Sequence, residues 1–449
     1  MLHDEAFDKH EKVIARYLKP DLLIRKDMGM KLLPERSSSS RAIPGPVAPT
    51  SRIVEIDMVR GFALFGVLLV NMYNFGADSI AWNSKGDQLA FALMRVFFQS
   101  KSWILFSMLF GLGFAVQLQR ADARGFRILP VYLRRLAVLF AFGAAHALLF
   151  DGDILMLYAE LGLGLLLVRH LPTRGLLVLA VGLMLVFPVT RLASGPEPEE
   201  VQSVAEARAD LESARHTDVY ATGSLAEVAA DNASAIPADP LEDIDSPESG
   251  LAVFAMFLVG FSIGRSGVLR DIPGHVTCFA RVRNWGLGLG LAAMAGERIL
   301  ATTTGYAVFR PQQAGTGAQL VGDLVFAFGT PALALGYAAT LVLAAQSPRG
   351  TAALASLADV GRLALTVYLT QTLMFTTLFY GYGFGQVFRL GPFGVTAWAV
   401  MIFGVQVVAC QWWIRRYRFG PMEWMWRSLT YLKWQPLRLP NAPTPRDEG

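Results

Sequence analysis

Charge is scarce in this chain. Only 17% of its 449 residues are Asp, Glu, Lys or Arg, where ordinary soluble domains carry roughly 25%. Apolar residues make up 53%, in long runs separated by short basic clusters. That pattern excludes the two or three soluble domains that the length alone would suggest. The net charge of +4 is small and dispersed. No aromatic–basic interleaving lies outside the apolar runs, so no nucleic-acid partner is expected. The two cysteines, Cys278 and Cys410, exclude a disulfide framework and any CxxC metal or redox motif. The six histidines show no HExxH or His–Cys zinc spacing, so no metal is expected. Residues 1–50 lack the apolar core of a cleavable signal. Within them, Phe7, Ile14, Tyr17 and Leu18 share one face of a short helix, and 37–50 (SSSSRAIPGPVAPT) reads as a flexible linker. No internal repeat of the kind found in many transporters is visible. Gly286, Gly288 and Gly290 follow no strand, which excludes a dinucleotide fingerprint.

What is present is bilayer-length hydrophobicity. A crossing helix needs about 20 mostly apolar residues. Ten stretches qualify, near 57–75, 102–120, 132–150, 153–170, 174–191, 250–269, 283–303, 319–345, 362–380 and 394–414. Residues 87–100 and 350–361 read as interfacial helices leading into the second and ninth spans. The expected fold is therefore all-α, a polytopic membrane bundle of about ten transmembrane helices with the lipid bilayer as its partner. Lysine and arginine set the orientation. The even gaps hold Arg120, Arg124 and Arg127, then Arg169 and Arg174, then Arg270 and Arg281, then Arg349, and the C-terminal end adds Arg415, Arg416 and Arg418. The odd gaps are poorer in them, the first excepted, with Lys85, Arg95 and Lys101. Both termini are thus expected to be cytoplasmic.

The chain divides into a polar tail and linker (1–50), a five-span half (51–191), an acidic loop (192–249), a second five-span half with a C-terminal interfacial helix (250–434), and a short tail (435–449). By parity the acidic loop lies outside. It either caps an external pocket or forms a solvated, partly helical insertion. The second reading is favoured, because charge runs usually mark solvated faces.

Ionisable residues within the spans are functional candidates, since burying charge in a bilayer is costly. Asp57 and Arg60, three apart in the first span, can pair on one helical face. Asn71 stands eleven residues beyond Arg60 on the same face, about 16 Å further along the axis. The third span repeats this: His146 lies eleven residues beyond Arg135, itself preceded by Arg134. Asn71 and His146 are thus expected at one depth. Asp151 and Asp153 follow His146 at once, and a carboxylate that orients an imidazole and stabilises its charged form suits general-base work. A lone intramembrane histidine that only bonds a neighbouring helix is the competing reading. Lys101 either binds an anionic group or snorkels to the interface. The glycines, such as Gly111 and Gly162, are read as close-packing positions.

Five segments carry a family resemblance: RIVEIDMVRGFALFGVLLVNMYNF (52–75), KSWILFSMLFGLGFA (101–115), AHALLFDGDILMLYAELG (145–162), GRLALTVYLTQTLMFTTLFY (361–380) and FGPMEWMWRSLTY (419–431). In this order they resemble the YeiB family of bacterial membrane proteins, which implies the inner membrane. Val367 departs from the pattern, where the family often has asparagine. The first span also resembles that of two membrane acyltransferase families, one O-acetylating bacterial polysaccharides and one of the heparan glucosaminide acetyltransferase type. In the first of these an arginine and a catalytic histidine share this helix. The arginine corresponds to Arg60, but Asn71 stands at the histidine's position.

The resemblance implies acyl transfer. A cytoplasmic acyl-coenzyme A would dock its phosphates on Arg60, Arg134, Arg135 and Lys101, because guanidinium forks donate to phosphate in pairs. His146 would act as base, oriented by Asp153, and Asn71 would donate to the oxyanion. The acceptor would be an external hydroxyl or amine on a small molecule or glycan. A transporter of a small organic anion or amphiphile is the alternative.

Overall fold

A computed structural model describes residues 52–76, 84–194, 199–236, 250–306, 308 and 315–439. The N-terminal tail and linker, Arg310, and the acidic residues Glu197, Asp239, Glu242, Asp243 and Asp245 fall outside them. The described residues belong to one compact unit, Ile43–Gly449.

The described residues form α-helices joined by turns, with no β-strand beyond one isolated bridge between Tyr417 and Arg438. The helices are α1 (Val54–Gly76), α2 (Lys85–Phe97), α3 (Lys101–Arg124), α4 (Ile128–Ala147), α5 (Leu155–Val168), α6 (Thr173–Ser194), α7 (Glu199–Thr222), α8 (Leu225–Ala235), α9 (Gly250–Ser266), α10 (Val276–Thr304), α11 (Thr316–Ala344), α12 (Pro348–Arg362), α13 (Ala364–Phe379), α14 (Pro392–Ile414) and α15 (Pro421–Tyr431). Each of the ten apolar stretches is helical. By length and apolarity five segments qualify as spans, the α2–α3 pair, α4, α6, α11 and α14, or six if the bent pair α12–α13 counts as one. The helices at 153–170 and 250–269 are shorter than expected, at 14 and 17 residues. The first of them loses its start because Asp153 turns its carboxylate back onto the Met156 amide and His146 instead of continuing an apolar run.

Two packing devices position the site. First, α1 and α12 touch backbone to backbone at Gly61 and Gly361. A Cβ on Gly361 would fall 1.9 Å from the Asp57 carbonyl oxygen, and one on Gly61 2.0 Å from that of Leu357. Gly111 and Gly260 do the same between α3 and α9, whereas Gly113 meets nothing within 4 Å. Second, the chain turns by 81° between α12 and α13. A helix start created at such a break has orphan amides. Glu423 of α15 supplies them: it accepts from Leu365 N at 2.6 Å, Thr366 N at 3.1 Å and the Thr366 hydroxyl at 2.6 Å.

The buried core falls into a central cluster, including Leu64, Leu105, Tyr158 and Phe257, a second one around Phe75, Phe150, Phe375 and Tyr380, and a small third one of Phe187, Tyr306, Val308 and Phe326. Val178 of α6 and Val408 of α14 are exposed. Apolar side chains facing outward from transmembrane-length helices suit a hydrocarbon surrounding.

Candidate functional site

Two ends of the helices carry the chemistry. At the first, α1 and α4 begin and α3 ends. Arg60 donates to Asp57 at 2.6 Å, the predicted three-residue pair, and to the Gly361 carbonyl at 3.1 Å across the glycine crossing. Arg52 pairs with the same Asp57 carboxylate. Arg135 lies over the Trp426 ring at 3.6 Å, and Trp426 in turn donates its indole N–H to the Arg135 carbonyl at 2.9 Å. Arg427 stands over Phe419 at 4.8 Å. Arg135 feels the charge of both Arg427 and Arg60. Burial pulls the Arg427 guanidinium below its ordinary value, and Arg52 and Arg120 add to that. Among the described residues, no carboxylate comes within ion-pair distance of Arg134, Arg135 or Arg427, and the buried Nε of Arg134 has no hydrogen-bond partner. Arg135 and Arg427 are held on aromatic faces against one another's repulsion, an arrangement that attracts anions.

Lys101 does not belong to this set. It starts α3, which reaches the arginine end only at Arg120, about 28 Å away along the helix. Its ammonium donates to the Arg95 carbonyl at 2.9 Å, beside the Arg95–Glu297 pair. The sequence supplied its sign but not its end.

At the opposite end His146 is sealed between two partners. Its Nδ1 lies 2.7 Å from Asp153 Oδ1 and its Nε2 2.7 Å from the Thr372 hydroxyl of α13. Both His146 and Asp153 side chains are 2% exposed. Asp153 Oδ2 accepts from the Met156 amide at 2.9 Å. A carboxylate that accepts on both oxygens favours a proton on Nδ1; in the neutral imidazole Nε2 then accepts from the Thr372 O–H. The order of groups is that of a hydroxyl, a base and an orienting acid.

Asn71 is near but not in this chain. It lines a cavity of about 390 Å³ together with Phe75, Phe150, Asp151, His216 and Tyr220. Phe150 stands at the boundary: it lines the cavity, and its ring is 5.9 Å from that of His146. The acidic segment is therefore not merely a solvated insertion; α7 walls a cavity with Ser213, His216, Thr217 and Tyr220. His216 pairs with Asp231 of α8, which also holds Arg215 at 3.0 Å.

Thr372, Arg427 and the His216–Asp231 pair escaped the reading of the sequence. Thr372 and His146 are 226 positions apart, beyond any helical periodicity. His216 and Asp231 carried a usable signal: Ser224 and Glu227 form a capping box between them, which marks a helix start, and a helical hairpin turns residues on either side of it towards each other.

Residues 263–433 match a family described as a protein of unknown function, DUF418. The chain is 32% identical over 420 residues to the uncharacterized protein YxaH of Bacillus subtilis (strain 168), covering 87% of this chain and 97% of that one. It is 31% identical over 409 residues to the uncharacterized protein YeiB of Escherichia coli (strain K12), covering 84% and 96%. The chain belongs to the YeiB family. A 39.9 kDa protein of Bacillus acidopullulyticus is 26% identical over 401 residues, covering 88% of this chain and 98% of that protein. The matches thus take in both halves of this YeiB-family chain, the arginine end and the histidine end alike. No solved structure matches.

Proposed function

We propose that the protein is an inner-membrane acyltransferase with ten spans and both termini in the cytoplasm, passing an acyl group from cytoplasmic acyl-coenzyme A to an external hydroxyl or amine. The observation that carries this reading is the Asp153–His146–Thr372 chain, in which a neutral imidazole with its proton on Nδ1 would meet the Thr372 hydroxyl with a basic Nε2. The Thr372 hydroxyl marks the point where an acceptor O–H or N–H gives up its proton. Asp153 stabilises the imidazolium that results. Asn71 offers an amide N–H towards the same end. At the other end Arg60, Arg134, Arg135 and Arg427 form the phosphate-holding face, and their surplus positive charge suits a polyphosphate donor. Acyl-coenzyme A would supply the thioester carbonyl, its arm spanning about the 16 Å rise from Arg60 to Asn71.

The test is coenzyme A binding to the purified protein. Binding should weaken stepwise in Arg135→Gln and in Arg135→Gln/Arg427→Gln, with the fold intact by thermal melting. Binding that survives both changes, together with Arg60→Gln and Arg134→Gln, would remove the arginine end from the reading.

One observation favours a second reading, transport of a small organic anion or amphiphile: the 81° break between α12 and α13, since discontinuous helices build many transporter sites. The anion-seeking amides at that break are, however, taken by Glu423. Counterflow in proteoliposomes without a covalent product would put transport first.

A further inference from the structure

The 390 Å³ cavity falls within the usual range for small-molecule sites, about 300–1,000 Å³. Its charges do not cancel. His216 is committed to Asp231, and Asp231 to Arg215, so these groups answer one another. Asp151 has no cation. It lies in the turn after α4 and lines the cavity, hydrogen-bonded to the Tyr220 hydroxyl, and among the described residues it forms no ion pair. Around it stand aromatic rings: Phe75 meets Phe150 at 5.5 Å and Tyr220 at 5.6 Å, both nearly edge to face. Asn71 adds an amide oxygen that can accept.

We infer that this cavity binds an organic ammonium ion, with Asp151 as counter-ion and Phe75, Phe150 and Tyr220 as the ring walls. An anion would be repelled by Asp151. A neutral apolar ligand would strip water from that carboxylate and leave it unpaired, which is costly. A cation answers the carboxylate and is attracted by the negative ring faces as well. A primary ammonium also donates to Asn71. The inference goes beyond acyl transfer, because it concerns binding alone and holds whether or not any group is transferred. The ammonium can come from a soluble amine or from a lipid headgroup; the chemistry recognised is the same.

The full-length protein in phosphatidylglycerol nanodiscs is titrated calorimetrically with choline, with ethanolamine and with 3,3-dimethylbutan-1-ol, the neutral isostere of choline. An ammonium compound should bind at least about tenfold more tightly than the isostere, a difference of about 1.4 kcal/mol. Asp151→Asn should abolish that preference. Phe75→Leu provides an independent arm should Asp151→Asn melt early: it should weaken choline more than the isostere. Repeating the titration in phosphatidylethanolamine nanodiscs separates the sources. Weaker apparent ammonium binding there identifies the lipid headgroup as a competing occupant, and equal binding identifies a soluble amine. Equal affinity for choline and its isostere, no binding of either ammonium compound, or binding undiminished in Asp151→Asn would overturn the inference.

Discussion

The two ends of this bundle are opposite answers to one problem, how to hold charge away from water. At the arginine end the cations outnumber their carboxylates. Asp57 serves both Arg52 and Arg60, Glu423 is spent on the start of α13, and Arg135 rests on Trp426. At the histidine end the carboxylates come first: Asp153 and Asp231 each engage an imidazole, and Asp151 engages no cation. A face with surplus cations attracts anions, and a cavity whose carboxylate has no cation attracts cations. Two chemically different ligands could therefore approach one protein from its two ends.

The largest break in this comparison should come from His146→Ala. If His146 is the base, transfer activity falls by about 10²–10⁴, while coenzyme A binding at the far end is unchanged. Full activity in this variant would leave the Asp153–His146–Thr372 chain as a helix tie and move transport to first place.

Next comes a change of packing. Gly361→Val forces side-chain atoms onto the Asp57 carbonyl, 1.9 Å from where its Cβ would be, and overpacking of this kind costs about 1–3 kcal/mol. It also pushes away the carbonyl that Arg60 grips. Thermal melting should show the loss, and coenzyme A binding should fall with it. A variant that melts like the parent would show that the α1–α12 contact is loose.

Neutralising a surplus charge should have a smaller effect, with the opposite sign on stability. Burial raises the Asp151 carboxyl above the usual carboxylate range. The folded protein then keeps that proton to higher pH than the unfolded chain does, so stability falls as pH rises from the unfolded value through the raised one. Asp151→Asn should therefore melt slightly higher than the parent at neutral pH and equally at acid pH. A lower melting point at neutral pH would mean that the Tyr220 hydroxyl stabilises the Asp151 carboxylate by more than burial costs it, and the two ends would no longer contrast. The smallest effect, on structure at least, is labelling of Cys278. It is exposed and free, and Cys410 is buried. If the termini are cytoplasmic, an impermeant thiol reagent should reach Cys278 only after the membrane is opened. Labelling in intact cells would exchange the sides assigned to the two ends.

Local features were legible in the sequence and distant ones were not. The ten helical stretches follow from runs of apolar residues, and the Asp57–Arg60 pair follows from three-residue spacing within one helix. That His146 would lie close to Asp153 needed only a turn of seven residues. Spacing along separate helices placed Asn71 and His146 towards one end, but periodicity cannot say which side of Phe150 each faces. The same limit misplaced Lys101. Its charge was read correctly, but α3 runs opposite to α1 and α4, so a residue at its start lies far from the residues at theirs. The acidic segment was misread because composition averages over it, and the few residues that turn inward, His216 and Tyr220 among them, do not alter its charge.

The cap at the break has a mechanical consequence. Glu423 grips Thr366 at the foot of α13, and Thr372, six residues further on, touches His146, a strut about 9 Å long. On the other side of Glu423, the same short helix α15 carries Trp426 and Arg427 into the arginine end. A load placed on α15 is thus borne along the axis of α13, and the hydroxyl that meets the imidazole at the far end moves with the arginines.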